Sequence, residues 1–270
     1  MLRKITKNKQ AVIGLVMIVI VIFTAILAPI IATNDPIKVD VTKKFQGVSS
    51  NYPLGTDQLG RCVFSRLVYG ARYSLGIAAP TLLIIAILSI VLGTSAAYAG
   101  GKFDRIFILI SDMVMAFPPL VIVLALVGSL GQGILNRAFA MIFSVWVWYA
   151  KVVRSYVLIE KNKDYVTAAI IAGSTDVDII LKHIIPNILP SLIVFFSTGV
   201  AGMILMISGF SFLGLGIEAG TPEWGAMLSG AKQYIYSRPY MIAYPGICIL
   251  FTASGFNLFG EALRDIISPE

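Results

Sequence analysis

The residues best equipped for chemistry are few and widely spaced. They are one histidine, His183, two cysteines, Cys62 and Cys248, and one carboxylate, Asp112, in the first turns of a long apolar run. A metal centre needs several convergent ligands, and a lone His without nearby Cys or further His is a poor site. Cys62 lies in a polar segment and Cys248 inside an apolar run, so they read as two free thiols. Asp112 is a functional candidate because an ionisable group at membrane depth is costly, but its place near the end of a run favours a plain structural ion pair. The chain has no GxxxxGK[ST] phosphate loop, and "GGK" at Gly100 to Lys102 is a bare turn. These patterns predict no enzyme, and no cofactor or metal bound by this chain.

The densest constellation is "KNKDYVTAAIIAGSTDVDIILKHIIPN", residues 161–187, which carries His183 and a cluster of charges. Asp164 is placed to N-cap a short helix, with Gly173 at its C′ position. Thr175 and Asp178 have capping-box spacing for a second helix, Asp176 and Asp178 suit its positive start, and Lys182 and His183 its negative end. Pro186 is expected to help stop it. Ala168, Ala169 and Gly173 keep one side small. Two short helices on a Gly-Ser bend make a protruding element, and two surfaces suit it: a groove on a cytoplasmic partner, or lipid headgroups.

The elements that must hold this segment are membrane helices. The 270 residues are 57% hydrophobic and 13% charged, with mean hydropathy +0.87, whereas soluble domains carry about 25% charge. Uncharged runs of about 20 residues span a bilayer, and only as helices here. The expected fold is an all-α polytopic membrane protein, one domain over 1–270, with six transmembrane helices near 11–32, 76–99, 106–130, 138–159, 187–210 and 239–260. The first run is longer than the apolar part of a signal peptide and reads as a retained span. Pro118-Pro119 can kink the third, as a route to a cavity or as a static packing bend. Arg3, Lys4, Lys7 and Lys9, with the basic residues of 151–163, put both termini and the 161–187 loop in the cytoplasm. The net charge of +7 then faces anionic lipid rather than nucleic acid. Two external segments remain, Thr33 to Tyr73 and Gly214 to Arg238. In them Gly55, Thr56, Asp57, Gly60, Arg61, Trp224 and Gly225 are candidate contacts for an external partner, or a capped loop before the amphipathic helix "VFSRLVYGARYSL".

"DYVTAAIIAGSTDVDIILKHIIPNILP" resembles the cytoplasmic EAA loop of permease subunits in binding-protein-dependent ABC importers. Its Ala-Ala pair, the Gly four residues on and the His-x-x-Pro-Asn run are similar to the peptide and nickel branch. "YPLGTDQLGRCVFSRLVYGARYSL", "SFLGLG…EWGAML" and "YPGICILFTASGFNLFGEALRD" resemble other parts of that family in family order, covering most of the chain. The resemblance implies a pathway formed with a second homologous permease, two ATPase subunits that bind ATP and Mg, and an extracytoplasmic binding protein, all at the inner membrane. It also implies that Asp164, Tyr165, Thr167, Ala168, Ala169, Gly173, His183, Pro186 and Asn187 dock the coupling helix on an ATPase. Thr167 stands where the family usually has Glu, Cys62 replaces a common Asp, and Glu261 replaces another. "VWVWYAKVVRSYV" and "AKQYIYSRPYMIAYPG" are more similar to nickel or metal-chelate permeases than to the longer oligopeptide type, with di- or oligopeptides the alternative. An ion-coupled secondary transporter would need intramembrane charges and inverted repeats; Asp112 is the lone candidate and no repeat is visible.

Overall fold

A computed structural model describes residues 5–131, 133–215 and 220–267. Arg3 and Lys4 of the basic amino-terminal cluster, and 216–219 of the second polar segment, lie outside the described residues. Among the described residues the fold is helical, with no strand beyond a single Thr56–Cys62 bridge.

Helix α1 (Lys9–Ile26) starts on Asn8, whose side chain accepts the Ala11 N–H, and a short turn at Ala28–Ile31 extends it. Helix α2 (Val63–Ala99) is one continuous helix of 37 residues with Pro80 inside it. The expected amphipathic helix and second span are thus a single element, because no Gly-Pro or polar break separates Tyr73 from Gly76. Gly100 and Gly101, both at positive φ, make the turn into α3 (Gly101–Met115). Helix α4 (Pro119–Leu130) follows at 81° to α3. The expected third span is therefore sharply broken. Pro118 and Pro119 supply no N–H to the preceding turn, and Pro118 disfavours helix at Phe117. Helix α5 (Ile134–Lys161) and the short α6 (Asp164–Ile171) come next. A helical run of 40 residues then forms α7 (Asp176–Leu215), followed by α8 (Trp224–Ala231) and α9 (Tyr240–Ile267).

The helix that carries the expected fifth span thus begins at Asp176, before Pro186, and Pro186 does not stop it. Residues Ile179–Ile184 take a wider π pattern in which the Ile185 N–H reaches the Ile180 carbonyl, and that wide turn accommodates the proline. Among the described residues five helices are long and apolar enough to cross a membrane, or six if the bent α3–α4 pair counts as one.

Helices pack through small residues, as expected where lipid supplies no hydrophobic drive. A side chain at Gly14 would meet the Gly255 carbonyl at 2.8 Å, and one at Gly93 the Ala150 carbonyl at 2.5 Å. These contacts join α1 to α9 and α2 to α5. The core around Ile85, Met141, Ile204 and Ile207 lies between α2, α5 and α7. Fully buried Arg137 donates to Ser211 Oγ at 2.5 Å, tying α5 to the far end of α7. Tyr156 and Ser191 share a pocket with Glu261 and Arg264, so the end of α9 lies at the same end of the bundle as the 161–187 loop. Antiparallel packing of α1 on α9 brings Lys9 there too.

Candidate functional site

The 161–187 loop is a built corner. Helix α6 ends in a paired cap: the Ser174 N–H bonds the Ala169 carbonyl and the Gly173 N–H that of Ile170, with Gly173 at φ +82° as the motif requires. Thr175 then caps α7, its hydroxyl accepting the Asp178 N–H at 3.2 Å. Asp178 answers by accepting the Thr175 hydroxyl rather than its N–H. Asp164 is not the α6 cap; Lys163 occupies that position with no side-chain bond, and Asp164 is the first helical residue, where its charge suits the helix start.

Three elements are clamped at the base of this corner. Tyr165 Oη donates to Glu160 Oε1 at 2.6 Å, and Lys163 pairs with Glu160 at 2.9 Å. Asn187 Nδ2 reaches the Tyr165 hydroxyl at 3.3 Å and the His183 carbonyl at 2.6 Å. Burial and the hydrogen bond to Glu160 push the Tyr165 phenol up to about 12, so it stays a neutral donor at ordinary pH. His183 takes part through its carbonyl, within a continuing helix rather than as a helix-end cap. Glu160 is the member that sequence reasoning missed; its glutamate–tyrosine spacing across a helix end was the available signal. On the other side Tyr98, at the end of α2, donates to Asp176 at 2.7 Å, and Lys161 donates to the Tyr98 carbonyl.

The outward face of the corner differs from the expected one. Ala169 is buried with Val166 against Val153, Val157 and Ile184, so it holds α6 down rather than presenting a surface. Thr167, Ala168 and Gly173 do face outward, as do Pro186 and Asn187. With them stand Ile170, 53% exposed, and Ile171, 81% exposed, plus exposed Val177 and Leu181. These isoleucines stand bare on a doubly capped corner, an outward apolar face that the amphipathic spacing had not separated from the buried one.

A second feature sits at the break between α3 and α4. A hollow of about 420 Å³ opens beside Met115, Phe117 and Pro119, with Trp148 on α5 and Thr198 and Met206 on α7. Among the described residues no Asp, Glu, Lys, Arg or His lines it. Non-helical backbone at membrane depth is tolerated only where protein covers it or water reaches it. Asp112, one turn before the break, pairs with Lys151 at 2.8 Å in an exposed ion pair.

At the opposite end, residues 33–62 fold into a lobe knotted by Asp57. Its carboxylate accepts the N–H groups of Leu59 and Arg61, and the Arg61 Nε at 2.7 Å. Arg66 lies 3.6 Å from it and donates to the carbonyls of Pro36 and Gly220. Gly55 and Gly60 turn at positive φ. Trp224 is 2% exposed and donates to the Leu67 carbonyl, while Gly225 backs onto Ser208. The expected contact set Gly55, Thr56, Asp57, Gly60, Arg61, Trp224 and Gly225 is thus buried and binds the lobe and α8 to α2. Within this chain Asp57, Arg61 and Trp224 spend their polar atoms on an internal joint, as the capped-loop reading expects. Cys62 and Cys248 are both free thiols, Cys62 buried 3.7 Å from the Thr33 hydroxyl. Among the described residues no three His, Cys, Asp or Glu side chains converge on a metal-sized site.

Residues 89–270 match the family described as "Binding-protein-dependent transport system inner membrane component", and residues 1–48 match "N-terminal TM domain of oligopeptide transport permease C". The chain belongs to this permease family. It is 37% identical over 254 residues to the nickel transport system permease protein NikC of Escherichia coli K12, covering 92% of each chain. It is 38% identical over 268 residues to the metal-staphylopine import system permease protein CntC of Staphylococcus aureus Mu50, covering 99% of this chain and 93% of the relative. The dipeptide transport system permease protein DppC of Alkalihalophilus pseudofirmus is 35% identical over 268 residues, with 99% and 88% covered. This permease is accordingly a multi-pass cell-membrane subunit of an ABC importer, and the relatives it matches are transport permeases. The family implies partner ATPases and a substrate-binding protein.

Proposed function

We propose that this permease lines half of an import pathway, beside a second homologous permease, and transmits ATP-driven motion through the 161–187 corner. In this reading the corner, Lys9 and the end of α9 face the cytoplasm, and the Asp57 lobe faces outward. Ile170 and Ile171 carry the reading: two bare isoleucines on a rigid, capped turn suit the groove of an ATPase subunit. Thr167 leaves that face without the family's usual carboxylate, so docking rests on shape and apolar contact. ATP and Mg belong to the ATPase.

The cargo we assign is a small nickel or other metal chelate, with short peptides as the second class. A hollow without ionisable walls suits a solute whose charge is already compensated, since a bare cation leaving water for such a site meets a cost of several kcal/mol. The relatives that handle nickel, metal-staphylopine and dipeptides support both classes. The test is uptake by vesicles carrying both permeases, the ATPases and the binding protein. Nickel with histidine is expected to enter on ATP addition, and nickel alone is not. Faster entry of free nickel than of its chelate would reverse the assignment.

A further inference from the structure

Two glycines of α7 beside the hollow face different surroundings. A Cβ at Gly199 would sit 3.0 Å from the Tyr149 hydroxyl and 3.3 Å from Leu82, so close packing inside this chain keeps that position small. A Cβ at Gly202 would meet nothing within 4 Å, although Gly202 lines the hollow. Packing within this chain therefore gives no reason for glycine at 202, where alanine would favour the helix by about 1 kcal/mol.

The surroundings of Gly202 argue against a helix contact. Close crossing of two membrane helices over glycine uses a flat face of small residues. Here Thr198 and Gly199 are small one turn before, but Leu205, 47% exposed, and Met206 are large one turn after, so the small face ends at Gly202. Trp148, 48% exposed, lines the same hollow with its ring 5.4 Å from that of Phe195, and Phe117 enters from the break. Gly202 is thus a low point among the large side chains of Met206, Trp148 and Phe117 that line the same hollow. The irregular backbone at residues 116–118 beside it favours a wet passage.

We propose that Gly202 sets the width of the translocation path on this chain and that Trp148 is a wall of the same constriction. Together they select solutes by cross-section, passing compact neutral ones such as a small chelate or a dipeptide. This rests on the hollow being part of the pathway proposed above.

The test uses the complete importer in vesicles, as wild type, Gly202→Ala, Gly202→Leu and Trp148→Ala. The solutes are nickel with histidine, nickel with a bulkier aminocarboxylate chelator, dialanine and tetraalanine. Comparing each variant with wild type for the same solute cancels the preference of the binding protein. Gly202→Leu is expected to cut uptake of the larger member of a transported pair at least about tenfold more than the smaller, with Gly202→Ala between. Trp148→Ala should shift the ratio toward the larger solute, and the second permease should co-purify undiminished. Equal losses for all sizes, or unchanged uptake, would overturn the proposal. Loss of the second permease from Gly202→Leu would overturn it too, by making position 202 a helix contact. A wild-type importer that moves none of the four solutes would overturn the pathway reading itself, and this inference with it.

Discussion

Replacing Ile170 and Ile171 together by alanine tests the coupling corner most directly. Full burial of an isoleucine side chain is worth roughly 1.5–3 kcal/mol. The two residues are 53% and 81% exposed in this chain, so that fraction of the gain remains for a partner to collect. Scaling by exposure gives about 2–4 kcal/mol for the pair, or a 30-fold to several-hundred-fold weakening of ATPase binding. Folding should barely respond, since substitutions at such exposed sites usually change stability by under about 0.5 kcal/mol. The assay is titration of the ATPase subunit onto detergent-solubilised permease, with thermal unfolding of the same samples as the control. A dissociation constant within about twofold of wild type, with unfolding unchanged, would show that this face does not dock. A large drop in unfolding temperature would mean that the two isoleucines are covered by something within the permease, which would defeat the argument differently.

Other expectations follow from neighbouring contacts. Ala169→Leu should overpack the pocket under α6 and cost about 1–3 kcal/mol, read as faster proteolysis within 161–187; Ala168→Leu, facing outward, should leave proteolysis unchanged while weakening ATPase binding. Asp57→Asn strands buried Arg61 and should destabilise the lobe by about 3–5 kcal/mol, so proteolysis within 33–62 is the readout and full resistance would refute the knot. Asp112→Asn removes an exposed ion pair with Lys151 worth about 0–1 kcal/mol; uptake and unfolding temperature near wild type are expected, and abolished uptake would return Asp112 to the functional residues.

The helical architecture was legible because each apolar run is its own evidence: length against bilayer thickness is a one-dimensional measurement. The corner at Gly173 was legible for a similar reason, since a positive-φ turn and the Thr175 cap are local and leave local signatures. What failed was everything decided by a neighbour. Ala168 and Ala169 look alike in sequence, yet only Ala169 meets Val153 and Val157. Gly55, Thr56, Asp57, Gly60 and Arg61 looked like surface because such residues usually are, whereas Asp57 gathers Arg61 and Arg66, and Arg66 in turn reaches the distant Gly220 carbonyl. Trp224 and Gly225 are buried against Leu67 and Ser208. Pro186 and the Pro118-Pro119 pair show the limit of a breaker rule. The first was absorbed by a π turn, and the second turned the chain by 81°.

Helix α2 has a mechanical consequence. At 37 residues it is about 55 Å long, well beyond the roughly 30 Å of a bilayer core. One end is fastened in the Asp57 lobe through Arg66 and the other to the docking corner through Tyr98. Pivoting such a rod by about 5° sweeps its far tip through roughly 5 Å. In the proposed coupling, a push received at the corner would travel to the far end of α2 along one helix with no intervening loop, Pro80 being the one interior proline at which it can bend.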